Sequence, residues 1–196
     1  MTQKLPIPPP NVPRTNNQFA AWFGRLLINT SGWSLSGNLP DKKKFIVAVA
    51  PHTSNWDFLV GVRIKFALNL NLHFLGKDSL FKGLLGSWLR YLGGIPIDRS
   101  APNGVVGQIV DRFNKEDELV IVIAPEGTRS KVSKWKTGFL QIAKQAKVPV
   151  VMVKFDYAKK DVHFYPERYI EGEIEQELAS VQSLFSPDCA KIPQNF

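Results

Sequence analysis

The sequence predicts one α/β domain: a mostly parallel central sheet flanked by helices, preceded by an N-terminal amphipathic helix. The first observation is that apolar, β-prone runs alternate with helical patterns along the chain. Such alternation is typical of parallel strands covered on both faces. The second is that 196 residues, 44% of them hydrophobic and 21% charged, suit a single globular domain with a full core. Strands are expected at 45–50, 72–75, 95–97, 119–124, 148–155 and 162–165, and helices at 56–70, 81–92, 105–114, 138–146 and 174–184.

The charge is unevenly distributed. The net charge is +8, but residues 166–196 hold two basic and six acidic residues, against 23 basic and 11 acidic in residues 1–165. Such an excess suits an anionic partner such as membrane lipid, a phosphorylated substrate or an acidic carrier protein, although ordinary solubilising charge remains an alternative. Nucleic acid is not expected as a partner, because the lysines are scattered and no nucleic-acid-binding motif is present. The single cysteine, Cys189, excludes an intramolecular disulfide framework and favours a reducing compartment.

The N-terminal 40 residues differ in composition from the rest. Residues 1–16 contain five prolines and predict a flexible, polyproline-like arm. Residues 17–40 begin with apolar side chains at helical spacing, at Phe19, Trp22, Phe23, Leu26 and Leu27. The run is much shorter than the roughly 20 residues that a bilayer requires. An aromatic amphipathic helix of this kind lies in a membrane interface or packs on its own domain, and the pattern allows both. Residues 41–196 form the remaining domain.

A polar cluster, residues 51–57, follows the first expected strand. Ser54 and Asp57 have the spacing of a helix N-cap and its capping box, which places His52 in the turn before the helix. Asp57 can then fold back to one imidazole nitrogen and fix the tautomer, so that the other nitrogen can accept a proton from a hydroxyl. The alternatives are that Asp57 only caps the helix and that His52 is structural.

A second polar cluster, residues 124–129, follows the strand at 119–124. Gly127 permits a tight turn, and Arg129 offers a planar fork of donors suited to phosphate. Lys131, Lys134 and Lys136 follow closely. The carboxyl ends of parallel strands meet at one sheet edge, so the two clusters are expected to face each other as a hydroxyl activator and an anion binder. Alternatively, Glu126 and Arg129 bond each other and brace the turn.

Taken together, the pair His52-x4-Asp57 and Glu126-Gly127-Thr128-Arg129 resembles the glycerolipid acyltransferase family, the PlsC-like lysophosphatidate and glycerol-phosphate acyltransferases. Blocks at 76–81, 94–99 and 148–151 agree with that family in order and spacing. The resemblance covers about residues 45–155.

This resemblance implies that His52 is the general base and Asp57 its orienting partner, with the acceptor hydroxyl attacking an acyl thioester directly. The acceptor site it implies consists of Glu126, Gly127, Thr128 and Arg129, with Arg99 also reaching the acceptor phosphate and Lys77 and Lys136 as helpers. The expected partners are acyl-CoA or acyl-carrier protein, a lyso-lipid acceptor and an anionic membrane surface. The expected location is the cytoplasmic face of the membrane, as a peripheral protein. No metal and no cofactor are expected, since thioesters are already activated.

Two other functions remain open. The acceptor could be another lyso-lipid, such as an amino-acid-derived lipid or a glycolipid, since the bulky Trp56 lies within the first motif. A non-catalytic lipid-binding or acyl-carrier-binding module would need only the basic surface and the aromatic helix. The presence of both His52 and Asp57 disfavours such a module. Serine hydrolases with GxSxG, P-loop nucleotidases and HExxH metalloproteases are excluded because their motifs are absent.

Overall fold

The protein, represented by a computed structural model, is described for residues 5–98 and 104–196. The helices and strands in chain order are α1 (Gln18–Ser31), β1 (Ser34–Gly37), β2 (Lys44–Ala50), α2 (Asn55–Ala67), β3 (Leu72–Lys77), α3 (Gly83–Tyr91), β4 (Gly94–Ile97), α4 (Gly104–Lys115), β5 (Leu119–Ile123), α5 (Gly138–Ala146), β6 (Val150–Asp156), β7 (Asp161–Phe164) and α6 (Ile174–Gln182). Short 3-10 turns at Asp78–Phe81, Pro187–Cys189 and Pro193–Asn195 complete the regular structure of the described residues.

The strands form one sheet in the order β1-β7-β6-β2-β5-β3-β4. Strands β6, β2, β5, β3 and β4 run parallel to one another, and β7 pairs antiparallel with β6. The predicted α/β fold with a mostly parallel sheet is therefore confirmed. The interior strands are almost fully apolar, as in β2 (KFIVAVA) and β5 (LVIVI), because both faces of the sheet are covered.

Strand β1 was not predicted from the sequence. It pairs in parallel with β7 through Ser34–Asp161 to Gly37–Phe164, so part of the expected amphipathic segment, residues 17–40, lies within the sheet. The Pro-rich arm also contacts the domain: Val12 is buried, and the Thr15 backbone amide donates to the Asn69 carbonyl at 3.1 Å. The described part of residues 1–16 is thus held against the turn after α2.

Two apolar clusters cover the two faces of the sheet. One contains β-strand residues such as Ile46 and Ile121 together with Phe113 of α4 and Phe139 of α5, and it extends to α6. The other contains alternate residues of the same strands, packed against Ile28 of α1 and the inner side of α2. We call these the α4–α6 face and the α1–α2 face.

Helix α1 packs through its small residues rather than its aromatic ones. Ala21, Gly24 and Ile28 are buried, and a Cβ at Gly24 would come within 2.4 Å of the Ala67 backbone nitrogen of α2. The aromatic side therefore faces outward, with Phe19 75% and Trp22 60% exposed. The possibility that this side covers the domain's own core is not realised. Across residues 5–98 and 104–196, no helix combines the length and hydropathy needed to cross a bilayer.

Helix α3 also differs from its prediction. The apolar pattern at 81–92 does give a helix, but it begins at Gly83, because Phe81 belongs to the preceding 3-10 turn. Phe81 fills the space above Gly76 of β3 and Gly94 of β4, where a Cβ would come within 2.8 and 2.7 Å of its ring. Gly76 shares a sheet face with Phe74, which stacks edge-on against Phe58 of α2. Helix α3 therefore lies in the same layer as α1 and α2.

Candidate active site

Three neighbouring parallel strands deliver predicted site residues to one edge of the sheet. His52 follows β2, Glu126 follows β5 and Lys77 ends β3, and these strands are adjacent in the sheet. The carboxyl ends of parallel strands lie together, so the two sequence clusters meet although 74 residues separate His52 from Glu126. Arg99, expected to reach the acceptor phosphate, lies outside the described residues.

His52 and Asp57 are in contact. Their Nδ1 and Oδ2 atoms are 3.2 Å apart, and the side chains are 25% and 1% exposed. Ser54 caps α2 and forms a capping box with Asp57, so the carboxylate is folded back toward the turn that carries His52. A carboxylate beside Nδ1 favours the tautomer with the proton on that atom, which leaves Nε2 as an acceptor. Within the described residues, no group bonds to Nε2.

Asp57 is held in place by three hydrogen bonds. The backbone amides of Thr53 and Ser54 each donate to Oδ2 at 2.8 Å, and the Tyr157 hydroxyl donates to Oδ1 at 2.7 Å. The carboxylate of Asp57 therefore both caps α2 and contacts the imidazole of His52. The helix cap and the contact with His52, which the sequence analysis gave as alternatives for Asp57, are both present in the structure.

Tyr157 is the residue of this site that the sequence analysis missed. Burial, reinforced by its bond to Asp57, raises the pKa of the Tyr157 hydroxyl, so it acts as a neutral donor. Its ring stacks edge-on against Trp33 with centroids 4.9 Å apart. The signal that could have identified it is its position directly after β6, the parallel neighbour of β2.

The C-terminal residues also contact the histidine turn. The Ile192 amide donates to the Thr53 hydroxyl at 3.2 Å, and the Asn195 side-chain amide donates to the Thr53 carbonyl at 3.3 Å. These two contacts bridge about 140 residues of sequence and immobilise the segment between His52 and α2.

Glu126 links the two polar clusters. It is 4% exposed, and its Oε1 accepts a hydrogen bond from the His52 backbone amide at 2.8 Å. Its Oε2 is buried without a hydrogen-bond partner within the described residues. Burial raises the pKa of this carboxyl group, with the amide of His52 opposing the shift. The expected alternative, a pair between Glu126 and Arg129, does not form; Glu126 instead fixes the turn of His52.

The turn after Glu126 depends on glycine. Gly127 has φ +67°, a left-handed conformation that other residues adopt at a cost, and a Cβ there would meet the Lys136 side chain at 2.9 Å. The Lys136 amide in turn donates to the Pro125 carbonyl at 2.8 Å. Lys136 is therefore fixed beside the glutamate turn.

The remaining predicted residues are exposed around this turn. Thr128, Arg129 and Lys77 are all open to solvent, and within the described residues the Arg129 guanidinium makes no ion pair. Lys134 differs, since it pairs with Glu175 at 2.9 Å. The described residues contain no cluster of three or more His, Cys, Asp or Glu side chains arranged to hold a metal ion. The arrangement can thus accept a proton at Nε2 and bind an anion nearby.

Comparisons with known proteins agree with this geometry. The sequence profile of the acyltransferase family matches residues 34–156, well over half of the chain. The 1-acyl-sn-glycerol-3-phosphate acyltransferase of Streptococcus pneumoniae is 30% identical over 133 residues, 63% of this chain and 49% of that protein. The Bacillus subtilis protein of the same description is 30% identical over 116 residues, 58% of this chain and 56% of that one. The chain thus spans about half the length of these relatives.

The fold also matches a solved structure. The crystal structure of the 1-acyl-sn-glycerophosphate acyltransferase PlsC from Thermotoga maritima superposes with a TM-score of 0.61 at 20% identity, covering 85% of this chain and 75% of that one. At that identity the match concerns the fold. With the family profile spanning β1 to β6 and the histidine and glutamate turns meeting at one sheet edge, the chain belongs to the acyltransferase family as a PlsC-like member.

Proposed function

We propose that the protein transfers a fatty acyl group from an acyl thioester to a hydroxyl of a lysophospholipid resembling 1-acylglycerol-3-phosphate, in phospholipid synthesis. The observation that carries this proposal is the His52–Asp57 contact at 3.2 Å, with the carboxylate buried and held by three donors. A protein that only binds lipid or an acyl carrier would not need a histidine held in this way by a buried carboxylate. The relatives from Streptococcus pneumoniae and Bacillus subtilis are 1-acyl-sn-glycerol-3-phosphate acyltransferases, which supports the same acceptor class.

In this mechanism, Nε2 of His52 removes the proton from the acceptor hydroxyl as its oxygen attacks the thioester carbonyl carbon. The tetrahedral intermediate collapses by breaking the carbon–sulfur bond, and the imidazolium returns the proton to the leaving thiolate. The products are the diacyl lipid and a free thiol, with His52 restored. Asp57 orients the imidazole and stabilises its charged form, and Tyr157 positions Asp57.

The acceptor phosphate would be bound by the exposed cations beside the glutamate turn. Arg129 offers a bidentate fork, and Lys136 and Lys77 add point charges, with Arg99 as a further candidate. Glu126, Gly127 and Thr128 would form the turn that carries this phosphate site, with the buried Glu126 holding the turn in place. The acyl donor is acyl-CoA or acyl-carrier protein.

We place the protein peripherally on the cytoplasmic face of the membrane, where the lyso-lipid acceptor is available. The support is the outward aromatic side of α1 and the basic excess of residues 1–165. Residues 17–31 would serve as the interfacial segment and the remaining domain as the catalytic part.

The test is thiol release from acyl-CoA and from acyl-carrier protein, with and without a panel of lyso-lipids that includes glycolipid and amino-acid-derived acceptors. We expect acceptor-dependent release that is fastest with 1-acylglycerol-3-phosphate. His52→Ala should slow it on the order of 10²–10⁴-fold, because the general base is lost. His163→Ala is the matched control, since His163 bonds Ser36 in the β1–β7 pair. Near-wild-type turnover by folded His52→Ala would overturn the assignment.

A further inference from the structure

Most of the exposed large apolar side chains among the described residues lie in one layer. Among the described residues, fourteen large hydrophobic side chains are exposed, and eleven of them belong to α1, α2, α3 or the 3-10 turn before α3. None lies on α4, α5 or α6. Because α1, α2 and α3 share one face of the sheet, most of the exposed apolar side chains of the described residues lie on one side of the domain.

Helix α3 contributes the largest part of this surface. Leu84 is 91%, Tyr91 69%, Leu85 54% and Trp88 51% exposed, and Leu80 of the preceding turn is 50% exposed. The buried contacts of this segment are made by Phe81 and Gly86. A Cβ at Gly86 would come within 2.2 Å of the Phe81 backbone, so the helix packs closely at that point. Exposed apolar patches of this kind in a soluble domain mark an interaction surface.

The charges around α3 favour an anionic surface. Residues 77–92 contain three basic side chains, Lys77, Lys82 and Arg90, and one acidic side chain, Asp78. An anionic surface is therefore attracted to the α3 side of the domain.

We propose that the exposed side of α3 (Leu80, Leu84, Leu85, Trp88 and Tyr91) is a second bilayer-contact surface that inserts into anionic membrane alongside α1. This surface adds to the peripheral membrane location proposed from α1, and it rests on that proposed function. A bilayer explains why the exposed apolar side chains are spread over three helices of one layer. It also explains the basic residues beside them, which match lipid headgroups. Two separate contacts would fix the orientation of the sheet edge that carries His52, which a single helix lying on the surface does not do.

The first experiment places a fluorophore on α3. Cys189 is the only native cysteine and is buried, so Leu84→Cys in a Cys189→Ala background can be labelled selectively with the environment-sensitive dye NBD. We expect a blue shift and a several-fold rise in emission on adding vesicles of equal phosphatidylglycerol and phosphatidylcholine. Gln176→Cys, at an exposed position of α6, is the matched control. Labelled in the same way, it should show no change in emission when vesicles are added.

The second experiment measures affinity with the full chain. Leu84→Glu combined with Trp88→Glu should lower partition into the same vesicles by at least about tenfold, since two apolar contacts are replaced by charges that the anionic surface repels. Gln145→Glu with Gln176→Glu adds equal charge to exposed positions of the α4–α6 face and should change partition little. Thiol release on detergent-dispersed substrate should be retained by both variants.

The outcomes separate the possible occupants of the surface. Wild-type partition by the Leu84/Trp88 variant, together with a silent dye at position 84, would overturn the proposal. A wild-type dimer in vesicle-free light scattering that the variant abolishes would assign the surface to a second copy. A dye response to acyl-carrier protein but not to vesicles would assign it to that carrier. Failure of the proposed function is distinct, because it appears as absent thiol release in the wild type.

Discussion

At the residue scale, the site depends on one carboxylate. Asp57 receives two backbone amides of its own turn and the Tyr157 hydroxyl, while its Oδ2 contacts His52. Hydrogen bonds to a charged acceptor contribute roughly 1.5–3 kcal/mol each, so loss of one donor is felt in both stability and reactivity. We accordingly propose that Tyr157 is a positioning residue that acts through Asp57.

Tyr157→Phe tests this positioning role. The ring and its packing on Trp33 remain, but Asp57 loses its Oδ1 donor. We expect acyl transfer to fall about tenfold and the acidic limb of its pH–rate profile to move to higher pH. The reason for the shift is that a carboxylate with one fewer donor attracts the imidazole proton more strongly. The measurement is the pH dependence of thiol release under saturating substrate.

Tyr165→Phe is the matched control for that variant. It also removes a tyrosine hydroxyl from a hydrogen bond, here to the Leu184 carbonyl at 3.1 Å, without touching Asp57. We expect its pH–rate profile to follow that of the wild type. If both variants lose activity equally with unchanged profiles, Tyr157 supports the fold and does not tune the His52–Asp57 pair.

The sequence predicted the pair but not what holds it. His52 and Asp57 are five residues apart, and helix-capping rules place them on the same turn. Tyr157 lies 100 residues from Asp57, and the bond from the His52 amide to Glu126 spans 74 residues. Such contacts depend on which strands are neighbours, and local patterns carry no information about that order.

At the element scale, α1 shows how an amphipathic pattern can point away from the core. Its small residues approach the α2 backbone closely, and that contact leaves the aromatic side free. The apolar residues of α3 likewise predicted a helix correctly, and most of them are exposed. Strand β1 was not predicted because its four residues, SLSG, include two serines and a glycine and so contain no apolar run.

Trp22→Glu combined with Phe23→Glu tests the membrane role of α1. These side chains are 60% and 44% exposed, so the fold should be retained with a melting temperature close to that of the wild type. We expect reduced pelleting with anionic vesicles at low salt and largely intact thiol release on detergent-dispersed substrate. Wild-type binding should itself weaken at high salt, because part of the attraction is electrostatic. Unchanged pelleting by the double variant would remove α1 from the membrane contact.

At the scale of the whole molecule, strand order creates the site. The alternating pattern predicted parallel strands, but it did not predict that β5 lies between β2 and β3. That order places Glu126 beside His52 and brings Lys77 to the same edge. The helical layers then differ in character, with exposed apolar side chains on α1–α3 and acidic ones on α6.

The buried side chain of Lys65 on α2 connects this helix to β3 and to the end of α3 by hydrogen bonds. Its ammonium is buried and donates to the carbonyls of Leu72, at the start of β3, and Leu92, after α3, at 2.8 and 2.7 Å. Burial lowers the pKa of Lys65 from 10.5 to about 8, because the charged form is poorly solvated. A neutral amine still has two hydrogens for the two carbonyls, so these bonds do not require the charge.

Because the pKa of Lys65 is lowered in the folded chain, the free energy of unfolding should increase with pH. Between about pH 8 and 10.5 an unfolded Lys65 binds a proton that the folded one has lost, so the free energy of unfolding increases with pH there, by at most about 3 kcal/mol. Lys65→Met lacks this contribution. In urea denaturation at pH 7.5, 9 and 10.5, we expect the wild-type value minus that of the variant to grow steadily. Lys144→Met is the control, since Lys144 also donates to two carbonyls but is exposed and lacks the burial that acts on Lys65. A constant difference for Lys65→Met would mean that the buried amine keeps its proton throughout this range.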